Sequence, residues 1–487
     1  PVPEGVEMRQ TWILRASGLG VLAIVIACAT NPATGKKEFM LVSEGQEIAL
    51  GQQEDQNVVA SFGIYDDPAL QEYVASLGHD IAQVAERPNL PWSFRLVDDA
   101  AVNAFALPGG FIYMTRGIMG YFDSEAELAM VMGHEVGHVT ARHSASQMSS
   151  QQLMSLGMGI GMVAVPELRR YGDLAQLGLG LLFLKFGRDD ENEADTLGLR
   201  YAKRLDYDAE EGAQAFRMLD QLSEQSEAGR VPGWLSTHPD PGDRYRRLLT
   251  AVRQRGLQGG HIRREAYLKR LDGMTFGENP REGFFREGAF YHPDLRFRFV
   301  MPRGFKGQNT KQAVWAVSPD GDAVFQLTLA EGSSPDGAAR DFFGSQEIRT
   351  READRTSVNG LPAILGTFDA TSGQTLVRGL AAFVRLDDRV YRLIGYTGRA
   401  DWSRYSRSFG AAVRSFGPLR ERWALDMQPN RIEVVVPRRN MTLAQFMKRY
   451  PSEVPEATIA IINQLQPGDT FEAGRQAKRI TGGDRRL

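Results

Sequence analysis

Helical and strand-like periods of apolar residues alternate along the chain and divide it into three stretches. Ser43-Glu44-Gly45-Gln46 has the spacing of an N-cap with a partner three residues on and predicts a helix to about Ala60. Asp67-Pro68 opens another to about Ala85. Short runs of strand character follow at Ser93–Val97, Ala101–Leu107 and Phe111–Thr115, the last two flanking the turn Pro108-Gly109-Gly110. Ser124-Glu125-Ala126-Glu127 then caps a helix whose run Leu128, Met130, Val131 and Met132 is apolar enough to be buried, and which is expected to continue through Arg142 and His143. Two Gly- and Met-rich runs, Leu153–Val165 and Leu174–Phe186, read as core helices, with a lid or a membrane-dipping segment as the alternative; neither reaches the ~18 residues of a spanning helix.

From Phe290 the period becomes that of strands: Phe290–Met301, Ala313–Val317, Ala323–Leu329, Ala363–Phe368, Leu376–Leu386 and Val390–Tyr396, with helices near 336–343 and 401–415. This pattern predicts an antiparallel sheet with helices on one side. A charged linker, Arg420–Arg431, leads to a βααβ order at Ile432–Val436, Thr442–Tyr450, Glu456–Leu465 and a strand near Ala477. The expected fold class is α+β: a mostly helical domain with a small edge sheet over 43–258, an α/β sandwich over 284–417, and a small βααβ module over 430–484.

Composition narrows the setting. The 487 residues carry a net charge of −3, with no basic excess that calls for nucleic acid. Residues 1–7 read as an extension. From Met8 a short basic segment precedes an apolar run, Gly18–Ala27, so that 1–27 has the form of a signal peptide. Val25-Ile26-Ala27-Cys28 resembles a bacterial lipobox, and Cys28 is the only cysteine, unable to form an internal disulfide. The expectation is lipidation at Cys28, a lipidated tether over 28–42, and a periplasmic protein held at a membrane. Ala29, where an aspartate would favour inner-membrane retention, leans this toward the outer membrane. A short membrane anchor with an incidental cysteine is the competing reading.

The candidate chemistry lies in the helix after Ser124, which reads His134-Glu135-Val136-Gly137-His138. At about 3.6 residues per turn, His134 and His138 share a face and can ligate one zinc ion, while Glu135 beside them can take a proton from water and pass it to a leaving amine. A third ligand is expected from a second helix. In Asp189-Asp190-Glu191-Asn192-Glu193-Ala194-Asp195, Glu191 and Asp195 lie one turn apart, Glu191 suited to the metal and Asp195 to a ring N–H of a ligating histidine. On a continuous helix His143 lies about 140° from His138, which makes it a supporting or a surface residue and not a ligand. A strand next to such a helix can pair with an extended peptide, and Asn103 and Ala104 are the candidate substrate contacts; an edge asparagine without a partner is the other reading of Asn103.

These motifs, with Asn103-Ala104-Phe105-Ala106 and Thr237-His238-Pro239, resemble the zinc metallopeptidases typified by HtpX, BepA and the CAAX prenyl proteases, over about residues 43–255. The resemblance implies one zinc per chain held by His134, His138 and Glu191, with Glu135 as catalytic base. It also leaves two roles open for His238, as oxyanion stabiliser or as an inhibitory fourth ligand. Arg244, six residues on in a loop able to fold over the site, is a further substrate-binding candidate. The chain lacks the spanning helices of membrane members and departs from BepA after about residue 260, where helical repeats are expected and none is visible. The middle stretch is compatible with a PsbP-like sandwich, and the end resembles a divergent LysM module, so that peptidoglycan contact follows by analogy only. The implied activity is an endopeptidase acting on misfolded or misassembled envelope proteins. The competing classes are a chaperone that retains the peptidase fold and a peptidoglycan-binding scaffold.

Overall fold

The computed structural model describes residues 28–157, 185–225, 233–238, 240–372 and 375–483. The expected signal peptide and most of the two Gly- and Met-rich runs lie outside the described residues. The chain forms two compact units, one from Gly63–Met274 with Ile432–Ile480 and the N-terminal residues, the other from Thr275–Arg431.

The first unit opens with a hairpin of β1 (Cys28–Thr30) and β2 (Lys37–Phe39), in which Cys28 pairs with Phe39. The expected tether residues are its turn: the Asn31 side-chain oxygen accepts from the backbone N–H groups of Ala33 and Thr34, and Gly35 takes a left-handed φ of 74°. Helices α1 (Glu44–Phe62) and α2 (Pro68–Gln83) start at the Ser43 and Asp67 caps. Next, β3 (Ser93–Val97), β4 (Ala104–Leu107) and β5 (Phe111–Thr115) form a sheet of order β3-β5-β4, with β5 parallel to β3 and antiparallel to β4. Thus β4 is an edge strand.

A short helix, α3 (Arg116–Tyr121), unforeseen in the sequence, turns the chain into α4 (Glu125–Thr140), every residue of which is buried. The Ser124 hydroxyl accepts from Glu127 N–H as the capping pattern predicts, while the Glu127 carboxylate reaches past Ser124 to Asp123 N–H. The helix stops sooner than expected. Arg142 adopts a left-handed φ of 62°, held by Glu47 at 2.5 Å and by the Val42 carbonyl at 2.7 Å, and His143 begins a separate helix, α5 (His143–Gly157). After α6 (Arg188–Arg204) come α7 (Ala209–Gly212), α8 (Gln214–Gln225), α9 (Gly233–Thr237), α10 (Pro241–Gln254) and α11 (Arg264–Leu271).

Chain segment 432–480 belongs to the same unit and shows the expected order: β17 (Asn430–Val435), β18 (Met441–Thr442), α15 (Leu443–Arg449), α16 (Glu456–Ile462), β19 (Thr470–Phe471) and β20 (Ala477–Gly482), the last pairing with β17. It closes over the start of α4. Lys478, fully buried, donates to the Phe122 carbonyl at 2.6 Å and the Gly120 carbonyl at 3.2 Å, and Arg264 joins the Gln476 carbonyl to Asp123. Burial pushes the Lys478 amine down to about 8, against the pull of Asp123 and Glu127.

In the second unit, β9 (Lys306–Asn309), β10 (Ala313–Val317), β11 (Ala323–Leu329), β12 (Ile348–Val358), β13 (Leu361–Ser372), β14 (Thr375–Leu386) and β15 (Arg389–Gly398) form an antiparallel sheet of order β12-β13-β14-β15-β11-β10-β9. Contrary to the sequence expectation, its two helices lie on opposite faces. On β14, Leu380, Ala382 and Val384 share a core with α13 (Trp402–Ser415), whereas Ala381 and Phe383 share another with α12 (Pro335–Phe343). Alternate residues of a strand point to opposite faces, so both sides of the sheet are covered. The single run expected over Phe290–Met301 is two strands, β7 (Ala289–His292) and β8 (Phe297–Val300), because Arg296 takes a left-handed φ of 54° at the turn between them. They form a second, smaller sheet with β6 (Phe284–Arg286) and β16 (Gly417–Pro418), and α14 (Arg422–Leu425) lies within the expected charged linker. Among the described residues no helix is long and apolar enough to cross a membrane.

Candidate metal centre

Close contact between α4 and α6 assembles the site. A Cβ at Gly198 would lie 2.8 Å from the backbone nitrogen of His134, and one at Gly133 would lie 3.2 Å from the Cα of Gly198, so the two helix backbones approach as only glycine permits. That approach sets Glu191 and Asp195 of α6 against the histidines of α4. Donor atoms of His134, His138, Glu191 and His238 all lie within 4.8 Å of one another, and all four residues are buried.

His134 Nε2 lies 3.0 Å from His138 Nε2 and 3.3 Å from His238 Nδ1, and His238 Nδ1 lies 2.8 Å from Glu191 Oε1. Glu191 is also 3.6 Å from the Nε2 atoms of both His134 and His138. Ring nitrogens that converge this closely cannot all carry protons. A cation bonded at about 2.0–2.1 Å resolves the crowding, and three imidazoles with one carboxylate suit zinc. Glu135 stands beside the cluster, its Oε1 buried without a hydrogen-bond partner and 3.7 Å from His238 Nε2.

Electrostatics favour the ligating forms of His134, His138 and Glu191, whereas at His238 burial is outweighed by the Glu191 and Glu135 charges, which hold the ring above its usual range. Burial, with the Arg244 charge adding to it, pushes the His134 ring below its usual range; burial, with the neighbouring rings, pushes His138 lower still. Both are therefore neutral at neutral pH. Burial acts to raise the carboxyls of Glu191 and Asp195, but His238 and Arg244 hold Glu191 below its ordinary value, and Arg244 and His134 do the same for Asp195. Asp195 Oδ1 lies 3.0 Å from His134 Nδ1, which places the ring proton on Nδ1 and leaves Nε2 free to bind a cation. Asp195→Asn is accordingly expected to weaken metal binding by about 10- to 100-fold, as read by competition of a chelator for added zinc; an unchanged affinity would remove Asp195 from the support of His134.

Arg244 lies on helix α10, where Pro241 in the first turn starts a helix in place of the loop read from the sequence. Its guanidinium is buried, 2.5 Å from Asp195 Oδ1 and 2.7 Å from Glu191 Oε2, and lies between the rings of Phe216 and Trp234, each 4.6 Å away. It thus braces the acidic residues of the cluster from behind. Asn103 and Ala104 sit at the head of edge strand β4, Ala104 fully buried and Asn103 Oδ1 without a hydrogen-bond partner. Short helix α9 covers this point: Trp234 N–H donates to the Val102 carbonyl, and Gly233 fits against Asn103. Trp234 in turn stacks on His238 with ring centres 4.7 Å apart.

Sequence reasoning missed Phe186, which stacks on His138 at 4.0 Å, and Phe216, because neither stands in a motif.

A histidine pair one helical turn apart, a glutamate from a second helix and a further carboxylate oxygen buried without a hydrogen bond at the same centre define a metallopeptidase-type site. Residues 68–252 match the model of peptidase family M48. The chain is 32% identical over 237 residues to the β-barrel assembly-enhancing protease of Yersinia pestis, covering 47% of each. It is 31% identical over 246 residues to the protein of that name from Escherichia coli, covering 48% of this chain and 49% of that one. To the mitochondrial metalloendopeptidase OMA1 of Schizosaccharomyces pombe it is 29% identical over 222 residues, 45% of this chain and 64% of that one. The chain thus spans about half the length of the bacterial relatives it matches. Among solved structures, cyanobacterial PsbP from Synechocystis aligns with a TM-score of 0.23 and 14% identity over 27% of this chain and 91% of that one, a likeness too low to bear on function.

Proposed function

We propose that the protein is a zinc-dependent endopeptidase of the bacterial envelope, anchored by lipid at Cys28, that cleaves misfolded or misassembled periplasmic and outer-membrane proteins. The observation that carries this reading is the convergence of His134, His138, Glu191 and His238 with Glu135 beside them, its Oε1 buried without a hydrogen bond. Support for the substrate class comes from the name of the bacterial relatives, which ties those proteins to β-barrel assembly.

When bound, zinc supplies a Lewis acid that polarises the scissile carbonyl and acidifies water. His134, His138 and Glu191 would hold it, with Asp195 fixing the His134 tautomer. Glu135 takes the proton of the attacking water and returns it to the leaving amine. An extended substrate pairs with the edge of β4 near Asn103 and Ala104, which aligns the peptide bond with Glu135.

His238 acts as a latch. As a fourth protein ligand it would fill the position that water needs, and it directly follows α9, whose Trp234 N–H bonds to the Val102 carbonyl next to the substrate edge. A peptide docking along β4 competes with α9 and draws His238 away.

Metal removal tests the reading. Dialysis against excess chelator is expected to abolish release of labelled peptides from an unfolded protein, and one equivalent of zinc per chain to restore it. Full hydrolysis by a metal-free preparation would overturn the proposal.

A further inference from the structure

His143 stands outside the cluster of possible ligands, yet it is buried and its Nδ1 lies 2.9 Å from His138 Nδ1. Between two such nitrogens only one proton can sit. His138 turns its Nε2 toward His134 Nε2 and Glu191, so its proton is on Nδ1 and His143 Nδ1 accepts it. With His143 Nδ1 accepting, the ring N–H of His143 is at Nε2, which faces Glu193 Oε1 at 3.7 Å and Asp190 Oδ1 at 3.9 Å. Asn31, also buried, donates its side-chain N–H groups to Glu193 at 3.0 Å and to Glu38 of β2 at 2.8 Å. The chain of polar contacts thus runs from the N-terminal hairpin through α6 and α5 to a histidine of α4. It exists because Arg142 breaks the helix: on a continuous helix His143 would point away from His138.

We propose that His143 and Glu193 are positioning residues that hold His138 in the tautomer and orientation in which Nε2 binds the metal, and that Asn31 ties this relay to the β1–β2 hairpin. The inference rests on the proposed metal site. His134 receives this support directly from Asp195, whereas His138 receives it through His143. Ligating histidines depend on such partners, whose loss weakens metal binding by about 10- to 100-fold.

The test uses the full chain, zinc affinity from chelator competition, and the visible absorption spectrum of the cobalt(II)-substituted protein, with circular dichroism to confirm folding. His143→Leu removes the acceptor and is expected to weaken zinc binding about 10- to 100-fold and to shift the cobalt bands. His143→Gln offers an amide oxygen to the same N–H and is expected to stay within a few-fold of the parent. Glu193→Gln and Asn31→Leu are expected to move affinity in the same direction as His143→Leu by smaller factors. Parent affinity and an unshifted cobalt spectrum in His143→Leu would overturn the relay while leaving the metal site standing. Equal losses in His143→Leu and His143→Gln would reduce His143 to a packing role. A parent protein that binds no zinc would overturn the metal site itself, and the relay with it.

Discussion

Replacing Glu135 with glutamine is expected to leave zinc bound and to lower peptide hydrolysis by about 10²- to 10⁴-fold, the usual contribution of a positioned general base, or about 3–5 kcal/mol in the barrier. The amide has nearly the same shape as the carboxylate and stands outside the set of donors formed by His134, His138, Glu191 and His238, so metal content and turnover should separate. Glu135 Oε1 is buried without a hydrogen-bond partner, 3.7 Å from His238 Nε2. Zinc content by mass spectrometry and steady-state cleavage of an unfolded protein check the two halves. Parent-like turnover would take Glu135 out of the mechanism, and lost zinc would make it a structural element of the site. The same variant, still able to bind substrates, provides a means to capture them.

His238→Ala is expected to act in the opposite direction. If the closed latch is favoured by about 1.4–2.8 kcal/mol, only about one molecule in ten to one in a hundred is open, and freeing the site raises turnover by about the same 10- to 100-fold. A fall of about a hundredfold with zinc retained would instead make His238 an oxyanion stabiliser. Unchanged rate and affinity would discard both roles. His238 follows directly on α9 and donates its backbone N–H to the Trp234 carbonyl, so a withdrawal of His238 with α9 would break the hydrogen bond from Trp234 N–H to the Val102 carbonyl.

Features governed by local rules were legible in the sequence. The Ser43, Asp67 and Ser124 caps start their helices, β3 and β5 have the predicted bounds, and β10 and β11 do as well. Glu191 and Asp195 were readable together because their one-turn spacing is itself a signal, and the structure brings both to the histidines. Features set by tertiary contacts were not legible. Arg142 takes a left-handed conformation without being glycine or asparagine, paid for by Glu47 and Val42 far away in sequence, so the break that brings His143 to His138 left no local mark. Strand β12 was missed because Arg349 to Ser357 are all exposed at the sheet edge and lack an apolar period. The two-sided burial of the large sheet was hidden for a related reason: adjacent apolar residues such as Ala381, Ala382 and Phe383 are compatible with one buried face or two, and only the packed helices decide.

The central claim, that this cluster holds one zinc ion, is tested most directly by X-ray absorption at the zinc edge on the purified full chain. The account predicts one zinc per chain in a four-coordinate shell of three imidazole nitrogens and one carboxylate oxygen, at about 2.0–2.2 Å, with one nitrogen lost in His238→Ala. A protein without stoichiometric zinc, or with a shell of oxygens alone, would contradict it.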